Sequence, residues 1–157
     1  MRVKLEWLNE LVDLTGLSLE EIVNTVSLYS IEVEGVDKMV HASDIVIGHV
    51  LTKEPHPDSD HLNLLTVDVK DEVLNIVCGA PNVRVGMITA VCKVGGSVLG
   101  GKIKPTKLVG VESNGMICSL AELGIENKYI PEEFAHGIYV LGDDAIPGTS
   151  ALEYLGY

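Results

Sequence analysis

From Asp44 to Leu141 the chain is interrupted every few residues by glycine, proline or a polar turn, and many of the pieces between them alternate apolar with polar positions. No other feature restricts the fold as much. Ile45 to Leu51 reads as a strand, and Pro55-His56-Pro57-Asp58 reads as the loop after it, because proline cannot donate to a sheet. Leu62 to Val69 alternates again, with Leu62, Leu64, Thr66 and Asp68 on one face and Asn63, Leu65, Val67 and Val69 on the other. Lys70-Asp71-Glu72 then turns the chain into Val73 to Cys78, which predicts a hairpin. Met87 to Val94, Thr106 to Val111, Gly115 to Cys118 and Gly137 to Leu141 read as further strands. Gly95-Gly96 and Gly100-Gly101 read as tight turns, and Ser119 to Gly124 as a capped helical turn ending at glycine. Short strands at close spacing predict a sandwich or a barrel, and about a hundred residues suits a five-stranded antiparallel barrel with elaborated loops.

The first 38 residues follow a different period. Leu5, Leu8, Leu11 and Val12 recur at helical spacing beside Trp7, and Gly16 stops that helix. Ser18 caps a second helix with Glu20 and Glu21 in its first turn and Ile22, Val23 and Val26 on its apolar face. Ile31 to Val36 alternates with period two and predicts a strand. This α/β segment, residues 1–38, is too small for a core of its own and has to dock on something else. The barrel domain is assigned to 39–150, and 151–157 is read as the start of a return to the N-terminal segment. Aromatics make up only 4% of residues against 46% hydrophobic, so the core is aliphatic.

Net charge is −12, which by itself argues against a polyanionic partner. The charge is unevenly spread. Met1–Lys38 holds three basic and eight acidic residues, and Leu120–Tyr157 one and seven, whereas Met39–Ser119 holds seven and eight. No Asp or Glu lies between Val73 and Val111, and five cations fall between Arg84 and Lys107: Arg84, Lys93, Lys102, Lys104 and Lys107. Lys102 and Lys104 share one face of an extended segment, where they can follow a phosphate backbone or protect a sheet edge from aggregation.

No motif of catalysis emerges. There is no Ser-His-Asp arrangement, no paired carboxylate site and no GxxxxGK[ST] loop. His56-Pro-Asp-Ser-Asp-His61 carries two imidazoles and two carboxylates, but a surface turn with Asp58 and Asp60 capping local backbone explains it better than a metal site. Cys78, Cys92 and Cys118 are odd in number and lack CxxC spacing, so they read as reduced, buried thiols of a cytoplasmic protein. No apolar run is long enough to span a membrane, and the opening residues lack a signal-peptide h-region. Asn82 and Arg84, after Cys78-Gly-Ala-Pro, can point outward. Ser113, Asn114 and Ser119 can read polar base edges, and Met116 can lie under a base or in the core.

Three strings taken together, His56-Pro-Asp-Ser-Asp-His-Leu62, Cys78-Gly-Ala-Pro-Asn-Val-Arg84 and Lys107-Leu-Val-Gly-Val-Glu-Ser-Asn-Gly-Met-Ile-Cys-Ser119, resemble the tRNA-binding domain, an OB-fold appended to several aminoacyl-tRNA synthetases and also found free. Trp7 to Leu14, Ile31 to Val36 and Pro147-Gly148-Thr149 resemble the start of bacterial phenylalanyl-tRNA synthetase beta subunits. The resemblance implies a mainly β fold, an OB-fold barrel with a small N-terminal α/β segment. It also implies an N-terminal fragment of a longer subunit. The partners it implies are phenylalanine-specific tRNA, a synthetase alpha subunit and the rest of the beta subunit. ATP and magnesium are implied for the full enzyme and no cofactor for this fragment. The tRNA contacts it suggests are Asn82, Arg84, Lys93, Lys102, Lys104, Lys107, Ser113, Asn114, Met116 and Ser119, with no catalytic and no metal residue. Two positions depart from the family pattern: His61 stands where lysine is usual, and Ile31 where glycine is usual. Two alternatives stand beside this reading, a bracing module with little RNA contact and a free-standing tRNA-binding protein.

Overall fold

A computed structural model describes all residues 1–157, which divide into two units, Met1–Asp37 and Lys38–Tyr157. In the first unit, helix α1 spans Leu5–Leu11 and helix α2 spans Leu19–Tyr29. The Ser18 hydroxyl accepts the Glu21 N–H, and the Glu21 carboxylate accepts the Ser18 N–H, so the helix start satisfies its own free donors. The predicted strand Ile31 to Val36 is not one. It joins no ladder and is held by a single bond, from the Val33 N–H to the Ser27 hydroxyl. Alternation supplies a face but not a partner, and a lone strand has nowhere to place its backbone groups. No residue of either helix is buried, and Trp7, Leu11 and Tyr29 are 55%, 81% and 81% exposed.

The second unit contains eight strands: β1 (Ser43–Pro55), β2 (Asn63–Asp68), β3 (Val73–Cys78), β4 (Ile88–Val98), β5 (Gly101–Lys102), β6 (Thr106–Leu108), β7 (Val111–Ser113) and β8 (Gly115–Ile117). All ladders are antiparallel, in the order β3-β2-β1-β4-β5, with β8 also on β4. Strand β1 makes the curl possible. Its first half pairs with β4 and its second half with β2, and the register slips between Val50 and Thr52, a bulge that bends the strand. The sheet curls into a half-barrel whose β3 edge is tied to the β7–β8 junction. Asn114 N–H donates to the Asn75 carbonyl at 2.8 Å, and the buried Ser113 hydroxyl accepts the Val77 N–H and donates to the Gly115 carbonyl, both at 3.1 Å.

Two apolar clusters lie on opposite sides of the β1–β4 pair. Val50, Leu65, Val67, Leu74, Ile76 and Val91 fill the barrel interior. Ile45, Ile47, Ala90 and Cys92 face the other way, onto Leu120, Leu123, Leu141 and Ala151. Strands buried on both faces read as continuous apolar runs, whereas β2 alternates and β3 alternates from Val73 to Ile76 before its buried end at Val77 and Cys78. Ala151, at the start of helix α3 (Ala151–Tyr154), is fully buried, so this segment belongs to the second unit.

Two predicted strands come out differently. Gly137 to Leu141 forms no ladder; it runs beside β4 through Leu141 N–H to the Ile88 carbonyl and the Thr89 hydroxyl to the Tyr139 carbonyl. Thr106 to Val111 is not one strand but β6, the two-residue turn of the β6–β7 ribbon and the first residue of β7. Val109 and Gly110 take φ of +50° and +84°, a two-residue turn of the kind that matches strand twist. Valine is strained there because its branched side chain crowds the left-handed region. Val109 is 53% exposed, so little packing opposes a change. Val109→Asn is expected to stabilise the chain by about 1 kcal/mol, seen as a higher urea midpoint at unchanged slope.

Candidate nucleic-acid interface

The curled sheet leaves the outer faces of β2 and β3 open, while the C-terminal segment covers the far side of β1 and β4. The depressions on the surface include two formed around these strands. One, about 290 Å³, is lined by Glu72, Leu74, Lys93, Val94, Pro105 and Asn114. The turn before β3, strand β4, the approach to the ribbon and the β7–β8 junction meet there. Lys93 and Asn114, 21 positions apart in sequence, share it because β8 pairs with β4 with Gly115 opposite Lys93.

Lys93 is not free. Its Nζ lies 2.6 Å from the Glu72 carboxylate, with both side chains a third to a half exposed. Such a pair contributes at most about 1 kcal/mol, so a phosphate can draw the lysine away. Lys102 and Lys104 are exposed and flank Ile103, which packs on the core; backbone bonds between Ile103 and both Gly95 and Gly96 hold this segment. Lys107 is exposed on β6, opposite Glu112 in the ribbon register. Arg84 is exposed in the loop before β4 and lines neither depression. Neighbouring Lys53, in an acidic stretch of sequence and not among the expected residues, spends its ammonium on the Val83 carbonyl at 2.9 Å.

The remaining expected contacts are committed to the fold. Asn82 binds Ile138 at both backbone groups, donating to its carbonyl at 2.8 Å and accepting its N–H at 2.9 Å. Ser113 is 4% exposed and ties the β3 edge to the β7–β8 junction. Ser119 caps the helical turn through reciprocal bonds with Glu122. Met116 is partly buried against the core. Of the ten residues, the structure presents Arg84, Lys93, Lys102, Lys104, Lys107 and Asn114 at the surface.

The second depression, about 370 Å³, was not legible from charge. Thr52, Thr66 and Asn75 line it over Leu64 and Val77, with Glu54 and Glu112 also on its wall. Period-two outward positions on β2 and β3 are the signal that points to it. The cysteines take no part in either depression. All three are free and buried. Burial pushes the Cys78 thiol up, and Cys118 is pushed up by its sulfhydryl bond to Cys92, whose own thiol is lowered by the same bond. No three His, Cys, Asp or Glu side chains converge as a metal-ligand set, the His56–His61 loop included. No helix is long and apolar enough to cross a membrane.

Phenylalanine–tRNA ligase beta subunit of Geobacillus kaustophilus is 50% identical over 99% of this chain and 20% of its own length, and that of Halalkalibacterium halodurans is 49% identical over the same shares. The chain thus spans about a fifth of the length of these relatives. A MetRS-related protein from Pyrococcus horikoshii superposes with a TM-score of 0.47 at 22% identity, over 66% of this chain and 84% of that one. The family described as "Putative tRNA binding domain" matches residues 45–149, the span from the first barrel strand to its last backbone tie, and the chain belongs to that family.

Proposed function

We propose that the chain is the tRNA-binding part of a phenylalanine–tRNA ligase beta subunit, and that it serves attachment of phenylalanine to its tRNA without performing it. The observation that carries this reading is the identity of about half the residues along the whole chain to such subunits, together with the family match over the barrel. ATP and magnesium belong to the full ligase, outside this chain, and its other partners are an alpha subunit and the rest of the beta subunit. RNA is held mainly by charge, through Lys102, Lys104 and Lys107 with Lys93 and Arg84 beside them. Stacking adds little, because no Phe, Trp or Tyr lies in any of β1 to β8.

The test is a fluorescence titration of labelled tRNA across salt. With about four phosphate contacts, log K is expected to fall against log salt with a slope near −3. A flat dependence would sink the phosphate-contact reading. One observation favours bracing as a second role: neither α1 nor α2 buries a residue, so the first unit has apolar surface available for other parts of a larger protein. No shift of tRNA on a low-salt gel would make bracing the better reading.

A further inference from the structure

His56 is the only buried histidine of the five, at 4% exposed. Its ring bridges two backbone groups. Nδ1 accepts the Asp58 N–H at 3.0 Å, and Nε2 lies 3.2 Å from the Leu108 carbonyl oxygen. An N–H can only donate and a carbonyl can only accept, so both bonds require the neutral ring with its proton on Nε2. The first bond shapes the loop of which His56 is part. The second reaches 52 positions along the chain to the β6–β7 ribbon, at the residue just before the strained turn.

That bond has no substitute. The base of the ribbon is tied to β3 by Ser113 and Asn114. Its distal part, Lys107 to Glu112, makes no other hydrogen bond to the barrel, and all of β6 is exposed. A two-stranded ribbon is marginal by itself in water, so this part-buried bond near its tip bears on whether it lies against the barrel or swings. Lys107 is carried on that ribbon.

We propose that His56 is a positioning residue for RNA binding: its neutral imidazole fastens the ribbon tip to the barrel and so sets where Lys107 meets the phosphate backbone. This rests on the RNA-binding reading above. The rival role is local, in which His56 only shapes the 56–61 loop.

Two substitutions in the 157-residue chain separate these roles. In His56→Asn the shorter amide still accepts the Asp58 N–H, as asparagine does in turns, but cannot reach Leu108. In His56→Gln the longer side chain returns a donor to Leu108. Hydrogen exchange at Lys107 to Glu112 is expected to quicken about fivefold in His56→Asn, the equivalent of one net hydrogen bond, and to stay near the parent rate in His56→Gln. Low-salt tRNA affinity is expected to fall about threefold to fivefold in His56→Asn, with the salt slope shallower by about 0.7, and to recover in His56→Gln. In a Lys107→Ala background His56→Asn is expected to have no further effect on affinity, which a general loss of stability would not reproduce. Unchanged ribbon exchange in His56→Asn overturns the pin. A loosened ribbon with unchanged affinity overturns the positioning role alone. A parent chain that binds no tRNA overturns the RNA reading, and ribbon exchange then still reports whether the pin exists.

Discussion

Gly48→Ala is expected to lower stability by about 2–3 kcal/mol, the upper part of the range for overpacked cores. On propensity the change should help, since alanine in a strand is about 0.5–1 kcal/mol better than glycine. Space decides otherwise. A Cβ on Gly48 would lie 2.6 Å from Val91 Cγ2 and 2.7 Å from Val67 Cγ1. Both valines are fully buried, and branching at Cβ leaves each little rotamer freedom to retreat. Gly48 thus sits where side chains of β2 and β4 press against the β1 backbone inside the barrel. The readout is a lower urea midpoint than the parent's. Val91→Ala added to Gly48→Ala should win back part of the loss, a coupling expected only of residues in contact. A midpoint that rises in Gly48→Ala would show that the interior is not packed this way.

The second large effect concerns the ligand. Lys102→Ala, Lys104→Ala and Lys107→Ala combined are expected to weaken tRNA binding at low salt by more than tenfold and to make the salt slope shallower by about 2, at roughly 0.7 per lost phosphate contact. The three side chains are exposed and none has a carboxylate within ion-pair distance, so their removal should leave the thermal midpoint nearly unchanged. The loss should be alike for tRNAs of different sequence, because phosphate contacts carry no sequence information. An affinity within twofold of the parent would move the contact surface elsewhere, with the groove at Thr52, Thr66 and Asn75 next in line.

Of the expected contacts, those that remain available are charged except for Asn114, and most of those that do not are small and polar. A lysine in an acid-free stretch has few carboxylates near it in sequence, and Lys102, Lys104 and Lys107 are exposed accordingly, whereas Lys93 meets Glu72 only through the fold. Asn82, Ser113 and Ser119 carry the same chemistry whether they face an RNA or the protein's own backbone. Only the fold brings the Ile138 backbone within 2.9 Å of Asn82, or the Val77 N–H within 3.1 Å of Ser113. His56 repeats the lesson in reverse. In sequence it belongs to a loop rich in possible metal ligands, and in the structure it serves the ribbon 52 positions away.

What the chain determined locally are the elements themselves: the Ser18 cap, the alternation of β2 and β3, the glycine at the end of the helical turn, and the double-sided apolar runs of β1 and β4. Each depends on propensity, capping or periodicity over a few residues, and these can be read from neighbours in sequence. What only tertiary structure decided is which elements pair. Ile31 to Val36 has the alternation of a strand and no partner; Gly137 to Leu141 lies along β4 without a ladder; Lys93 and Asn114 share a depression because β8 meets β4 in one register. Pairing depends on loop closure and on the competition of all strands for the same edges, and no local window of sequence contains that information.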